Sequence, residues 1–466
     1  MTAIVCAVLS AIGFYFSIGL GEQWWLAWLA PVPVLWLAFG NAKPLTAFLA
    51  AFAAMVLGAC NLLSAYAGLL PTPVLVLAIG APALAFAGSV LATRRVHQRL
   101  GAVPALIAFA AVWTMFDFLA SFSREGGAVG TPAAAEVGAP LLIQSASLVG
   151  FTGVTFLLGA VAAGLALGLR RRGFFAAGLA VVLFAGNAAY GYWRMSQPPA
   201  GMLRVALVES DDVVGAVRRD DRAATFRAID AYATEIAKLR MAHADLIVLP
   251  ENIARIAPEW RADAQSKFQA AADATDAIVV AGFNTFADGA QRNASWTSVP
   301  HATSPVTYEK RRLVPGLESA SYTPGPGPRV VANGVGLEIC KDMDFPAMIR
   351  ADAVATHPRL LAVPAWDFDR DDWSHARVAI LRSVENGEPM ARTARDGLLT
   401  LNDRYGRVVA RARSAGGFTT LIGALPLDGR GGDTLYDRIG DVFGWLCLVM
   451  GVGLVGLSVL RRKSEA

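Results

Sequence analysis

Apolar residues crowd into runs too long and too many for a soluble core. Eight segments, roughly 3–20, 24–41, 44–66, 70–92, 102–121, 140–168, 173–192 and 441–460, approach or exceed the ~20 residues an α-helix needs to cross a bilayer. Only 17% of the residues are charged and 55% are hydrophobic, where soluble domains carry about 25% charge. The net charge of +4 is small, and the basic residues gather beside the apolar runs, which argues against a nucleic-acid partner. No basic residue precedes the first run, and Gly19-Leu20-Gly21-Glu22 is a poor processing site, so this run is expected to persist as a helix.

Lysines and arginines orient the runs. Lys43 follows the second; Arg94, Arg95 and Arg99 the fourth; Arg170, Arg171 and Arg172 the sixth; Arg461, Arg462 and Lys463 the eighth. The short connections on the other side hold Arg124 and little else. Basic loops stay in the cytoplasm, so both termini are expected there and the long segment between runs seven and eight outside. Three domains follow: a membrane domain of seven helices over 1–194, an extracytoplasmic domain over 195–438, and a last helix with a basic tail over 439–466. Trp24, Trp25, Trp28, Trp193 and Trp445 fall near outer ends, as an interfacial aromatic belt does. The connection from Ser121 to Pro140, with Gly126, Gly127, Gly130 and Pro132, is expected to be loose and could cover a lipid portal. Asp117 is an acid deep in an outer-leaflet span and a functional candidate on that ground, its partner illegible.

The outer segment mixes short apolar stretches with helical spacing. Strands are predicted at 203–209, 245–250, 277–283, 297–300, 330–340, 360–364, 398–402 and 419–425, and helices over 221–240 and 375–386. That mixture suggests an α/β domain with sheets between helix layers. Within it lies a lone soluble-part cysteine: Cys6, Cys60 and Cys447 all sit in apolar runs, so Cys340 has no soluble disulfide partner. Cys340 is predicted to close a strand just before Lys341 and Asp342. Glu251 closes another predicted strand, and Lys310 opens Lys310-Arg-Arg-Leu-Val-Pro315.

A thiol with an ordinary pKa near 8.5 is mostly protonated at neutral pH and needs a base or a cation to become a nucleophile. A carboxyl drawn into a site poor in water can serve as that base, and a lysine can hold an oxyanion. Glu251, Lys310 and Cys340 therefore form a candidate catalytic set. The five histidines are scattered without metal-ligand spacing, and no Gly-Lys-Ser/Thr phosphate loop is present, so no metal or other cofactor is expected. His375, after Asp371-Asp372-Trp373, is expected to cap or pack the start of its helix.

The order of acid, lysine and thiol, with their flanks, resembles the nitrilase superfamily. Lys310-Arg-Arg-Leu-Val-Pro-Gly-Leu-Glu318 is similar to that superfamily's lysine stretch with its second glutamate; the helix His375 to Asn386 and the turn Asp403-Arg-Tyr-Gly406 also match. An outer domain of this kind between spans seven and eight resembles the apolipoprotein N-acyltransferase family, as do Pro140-Leu-Leu-Ile-Gln144, Gly150-Phe-Thr-Gly153 and Thr434 to Asp441. The resemblance implies a four-layer α-β-β-α sandwich joined to about eight membrane helices. It implies Glu251 as base, Lys310 at the oxyanion, Cys340 as nucleophile and Glu318 in support. It implies a bacterial inner membrane, a phospholipid acyl donor, a diacylglyceryl-modified lipoprotein acceptor and a thioester on Cys340. Three places depart from the family pattern. Cys340-Lys341-Asp342 stands where Cys-Tyr-Glu is usual, and Val363-Pro364 stands before Ala365-Trp366 where Asn-Asp is usual. Ala391-Arg392-Thr393-Ala394-Arg395 replaces an arginine stretch ending in Asn-Thr-Gly. An acyltransferase with another amine acceptor, a membrane-tethered amidase and a non-catalytic lipoprotein-binding scaffold are the competing readings.

Overall fold

The computed structural model describes residues 1–170, 173–213, 221–427 and 431–461. Arg171, Arg172, Arg462 and Lys463 lie outside the described residues. Two compact units emerge, Met1–Ser196 with Ile439–Ala466, and Gln197–Arg438.

In the first unit, six helices among the described residues are long and apolar enough to cross a membrane: Pro44–Tyr66, Thr72–Leu100, Ala102–Ala120, Phe151–Gly168, Phe174–Met195 and Val442–Leu460. Two of the eight expected spans are shorter. Thr2–Ser17 has 16 residues and ends in a turn at Gly19 (φ 60°). The run at 24–41 forms Trp24–Leu29 and Val32–Ala38, broken where Pro31 and Pro33 remove N–H donors and clash with the preceding turn. The run at 140–168 is likewise split, because Gly150 at φ 72° ends the short helix Ala146–Val149. Small residues set the packing: a Cβ on Gly159 would lie 2.9 Å from the Ala110 Cα.

Arg94 Nη1 donates to the carbonyls of Ala38 (2.6 Å) and Gly40 (3.0 Å), Arg170 Nη2 to that of Trp36 (2.6 Å), and Arg99 Nη1 to that of Arg461 (3.2 Å). These basic helix ends thus converge on one end of the bundle. In the connection 121–140 residues 122–125 are exposed, but the second half is not loose. Its Pro132–Gly138 turn is largely buried, and Trp28 Nε1 donates to Glu136 Oε2 at 2.6 Å. Backbone outside helices is tolerated at such depth only where protein covers it and supplies partners. Asp117 accepts from Thr131 Oγ1 of the same connection (2.8 Å) and from Thr155 Oγ1 of the helix Phe151–Gly168 (2.6 Å).

Among its described residues the second unit carries thirteen strands: β1 (Gly201–Glu209), β2 (Leu246–Val248), β3 (Ala254–Arg255), β4 (Ile278–Ala287), β5 (Ala290–Ser298), β6 (Val306–Glu309), β7 (Arg329–Val331), β8 (Val335–Leu337), β9 (Leu360–Trp366), β10 (Met390–Arg395), β11 (Leu398–Asn402), β12 (Val408–Arg413) and β13 (Thr419–Leu427). They form two sheets, ordered β13-β1-β2-β4-β5-β6 with β3 on β4, and β12-β11-β10-β9-β8-β7. Inner-face residues of the two sheets, among them Val205, Leu207, Val248, Leu337, Leu360, Ala391 and Leu425, share one core. Helices Arg222–Lys238 and Arg261–Thr275 cover the outer face of the first sheet through Ile229, Tyr232, Ile236 and Phe268. Helices Pro346–Thr356 and Asp372–Asn386 belong to the second sheet. This is the four-layer α-β-β-α arrangement.

Several boundaries differ from the sequence pattern. The apolar run 330–340 is two strands, not one, because Asn333 (φ 61°) and Gly334 (φ 75°) turn the chain between β7 and β8. The segment 290–298 is a strand paired with β4 across the two-residue turn Asp288-Gly289, both at positive φ. Strands β3, β6, β10 and β12 and the helices Arg261–Thr275 and Pro346–Thr356 went unpredicted.

Candidate active site

The turns that leave the parallel strands β2 and β8 carry Glu251 and Cys340, and the loop that leaves β6 carries Lys310 and Glu318. Glu251 lies three residues beyond the end of β2, held by its N–H to the Ala365 carbonyl (3.2 Å). Its neighbour Asn252 turns through φ 56°. Lys310 follows β6 directly, with its N–H on the Asn293 carbonyl at 2.8 Å. Glu318 closes the loop after Lys310 by accepting from the Val314 N–H (2.8 Å). Cys340 lies three residues past β8 at φ 45°, a backbone region that costs a non-glycine residue about 1–3 kcal/mol and that gathers at functional sites.

Three of the four residues meet directly. Lys310 Nζ is 2.8 Å from Glu251 Oε1 and 2.9 Å from Glu318 Oε2, and its side chain is almost wholly buried. Asn293 Nδ2 donates to Glu251 Oε1 and, at 2.6 Å, to Glu318 Oε1. One ammonium cannot balance two buried carboxylates, so one of them is pressed toward its neutral form. Burial first, with repulsion from Glu318, pushes the Glu251 carboxyl above its ordinary range against the pull of Lys310. Burial alone would discharge Lys310, but Glu251, Glu318 and the Cys340 sulfur outweigh it and hold the ammonium charged.

The fourth residue is Cys340, partly buried, with its Sγ 3.6 Å from the Trp366 carbonyl. Burial and then Glu251 push its thiol well up, while Lys310 and Arg392 pull it down. Burial thus favours the neutral thiol at Cys340 and also raises the proton affinity of Glu251. An ammonium has three donors; Lys310 commits its hydrogen bonds to two carboxylates and retains capacity for a third acceptor.

Residues not singled out in the sequence complete the frame. Asp342 is buried and accepts from the backbone N–H groups of Ile339 (3.1 Å), Arg311 (3.2 Å) and Arg312 (2.8 Å). That one carboxylate ties the thiol's turn to the lysine's loop. Tyr308 Oη lies 2.8 Å from Glu338 Oε2 and 2.7 Å from Asp342 Oδ2. A phenol has one proton, so the second contact needs a protonated carboxyl, and burial with Asp342 beside it holds Glu338 well above its ordinary range. Arg392 on β10 forms a buried two-point pair with Asp367 just past β9. Asp342 and Arg392 come from two of the departures from the family pattern, and both are buried here. Lys341 turns instead to Asp344 (3.3 Å). His375 bonds Asp371 at 2.8 Å at the start of its helix, as expected. The Asp288-Gly289 pair was the available signal for β5 and so for Asn293. Among the described residues no cluster of histidines, cysteines and acids has the makings of a metal site.

Residues 204–430 match the carbon-nitrogen hydrolase family, and residues 8–164 match the apolipoprotein N-acyltransferase N-terminal domain. The apolipoprotein N-acyltransferase of Geobacter metallireducens is 27% identical over the whole of this chain and 96% of its own length. That of Gloeobacter violaceus is 26% identical over 99% of this chain and 95% of its own. The chain belongs to the apolipoprotein N-acyltransferase family. It is thus an acyltransferase of the carbon-nitrogen hydrolase superfamily, built on several long apolar helices. Among solved structures, an amidase from Nesterenkonia sp. is similar over 52% of this chain and 95% of its own, with 20% identity and a TM-score of 0.41.

Proposed function

We propose that this family member moves a fatty acyl chain from a phospholipid to the N-terminal amine of a lipoprotein's diacylglyceryl-modified cysteine, with Cys340 carrying the chain between them. The buried Glu251–Lys310–Glu318 constellation facing a thiol on a strained turn is the observation that carries this reading.

Glu251 takes the Cys340 proton, and the sulfur attacks the donor's ester carbonyl carbon. The oxygen becomes an oxyanion met by the remaining donor of Lys310. The carbon–oxygen bond then breaks, Glu251 returns the proton to the departing lysophospholipid alkoxide, and a thioester remains. The acceptor amine, in its neutral form, attacks the thioester while Glu251 receives its proton. The carbon–sulfur bond breaks, the thiolate regains a proton, and an amide leaves. Glu318 holds Lys310 throughout, and no cofactor enters.

The organisation proposed is a membrane domain over 1–194, a periplasmic catalytic domain over 195–438, and a final membrane helix over 439–466, with both termini cytoplasmic. The convergence of Arg94, Arg99 and Arg170 on one end of the bundle supports this orientation. Incubation with phospholipid and a synthetic diacylated lipopeptide should yield triacylated peptide and lysophospholipid in equal amounts. Hydrolysis of simple amides with no acylated peptide would favour the amidase reading.

A further inference from the structure

Asn293 is the residue through which the charged groups behind the thiol communicate. It lies on β5 opposite Asn284, almost wholly buried. Its Nδ2 bonds both Glu251 Oε1 and Glu318 Oε1, and its carbonyl accepts the Lys310 N–H. The reverse amide orientation would turn Oδ1 onto two carboxylates, so the hydrogen-bond network fixes the amide as a donor here. The charged groups around Glu251 are Lys310 from the end of β6, Glu318 from the loop beyond it and Cys340 from the turn after β8; Arg392 on β10 and Asp367 after β9 act on the thiol. Burial, Glu318 and the thiolate that forms all favour a protonated Glu251. Against them act Lys310, which Glu318 shares, and Asn293.

We propose that Asn293 is a positioning residue that keeps Glu251 able to accept the Cys340 proton, by donating one amide to both carboxylates and so spreading the charge that Lys310 cannot balance. This rests on the reading of Glu251 as the base for Cys340. Without that amide Glu251 would hold its proton to higher pH, and the thiol would find no base near neutrality. A residue that only filled space would leave the pH of half-maximal reactivity where it is.

The test follows Cys340 alkylation by iodoacetamide in the full chain, with the rate read on the Cys340 peptide by mass spectrometry between pH 5 and pH 10. Asn293→Leu keeps the approximate shape and removes the donor without adding a charge, and Asn293→Ser keeps a shorter donor. For Asn293→Leu the acid limb should move up by roughly one to two pH units, the loss of one hydrogen bond to an ionised group, with a smaller move for Asn293→Ser. Limbs that coincide with the wild type, or loss of cooperative thermal unfolding in both variants, would reduce Asn293 to packing and overturn the proposal. Alkylation needs neither donor nor acceptor. A wild-type chain that never acylates a lipopeptide, with the limb still shifted in the variants, would therefore count against the proposed function alone.

Discussion

Replacing Gly282 by alanine should disable the site from beneath. Gly282 lies on β4 opposite Ser295, directly under the turn that carries Glu251. Its N–H donates to the Pro250 carbonyl (3.1 Å), and its carbonyl accepts from the Ile253 N–H (2.9 Å). A Cβ there would fall 2.6 Å from the Pro250 oxygen and 2.7 Å from the Glu251 Cα, where ordinary contact begins at 3.4 Å. Both atoms are backbone, so the Pro250 oxygen must retreat by about 0.8 Å and the Glu251 Cα by about 0.7 Å to reach ordinary contact. Lys310 Nζ sits 2.8 Å from Glu251 Oε1, and a carboxylate carried back that far loses the short contact. Forcing a methyl into such a site costs about 1–3 kcal/mol, and a misplacement near 1 Å can cost on the order of 10²-fold in rate. Gly282→Ala should therefore slow Cys340 acylation by roughly one to two decades and lower the apparent melting temperature by several degrees. Gly327→Ala, which meets nothing within 4 Å, is the control. Intact-protein mass spectrometry with phospholipid alone gives the acylation rate, and thermal unfolding gives the stability. A folded Gly282→Ala chain acylated within twofold of the wild type would refute the claim that the β4–Glu251 contact sets the geometry of the base.

Three further outcomes are expected. Lys310→Met should slow acylation by roughly 10²–10³-fold, as loss of an oxyanion donor does, while Lys341→Ala, whose ammonium is turned to Asp344, should be mild; single-turnover rates compare them. His375 is disfavoured as an imidazolium by burial, but Asp371, then Asp367 and Asp344, push its pKa up to about 9. A raised pKa means that its contribution to stability is complete below about 6.5 and is lost as pH rises through 9, so the wild-type melting temperature should fall over that window. His375→Gln should flatten the fall in part, since Glu209, pushed up to about 9 by burial, Asp211 and Asp396, adds a loss of the same sign. A cysteine at exposed Ser304, in a Cys340→Ser background, should react in intact spheroplasts with a maleimide that cannot cross membranes; labelling only after lysis would reverse the proposed orientation.

The pattern of apolar runs and the order of acid, lysine and thiol were legible because each rests on local sequence. Helix breaks at Pro31, Pro33 and Gly150 were also written in the chain, but an apolar count passes over them. The same habit merged β7 with β8 across Asn333-Gly334. Asn293 was hidden for a related reason. Polar residues on β5, among them Asn293, Ser295, Thr297 and Ser298, are buried, so the strand lacks the alternation that marks a half-solvated sheet. Asp342, Arg392 and Asp367 could not be assigned from spacing at all. Their roles depend on the register that sets β10 beside β9 and on the turn that folds Asp342 back onto the Ile339 N–H. The Trp28–Glu136 and Asp117–Thr131–Thr155 contacts join residues 14 to 108 positions apart, beyond any local pattern.

The central claim is that Cys340 carries the acyl chain and is shielded from water until an amine arrives. The direct measurement is the mass of the Cys340 peptide after the purified chain is incubated with phospholipid alone, then with a diacylated lipopeptide. The account predicts a fatty acyl thioester on Cys340 that survives for minutes, disappears when the lipopeptide is added, and is absent from Cys340→Ser and Glu251→Gln chains. An unmodified Cys340 in a chain that still acylates the lipopeptide, or a thioester that water discharges as fast as the lipopeptide does, would contradict it.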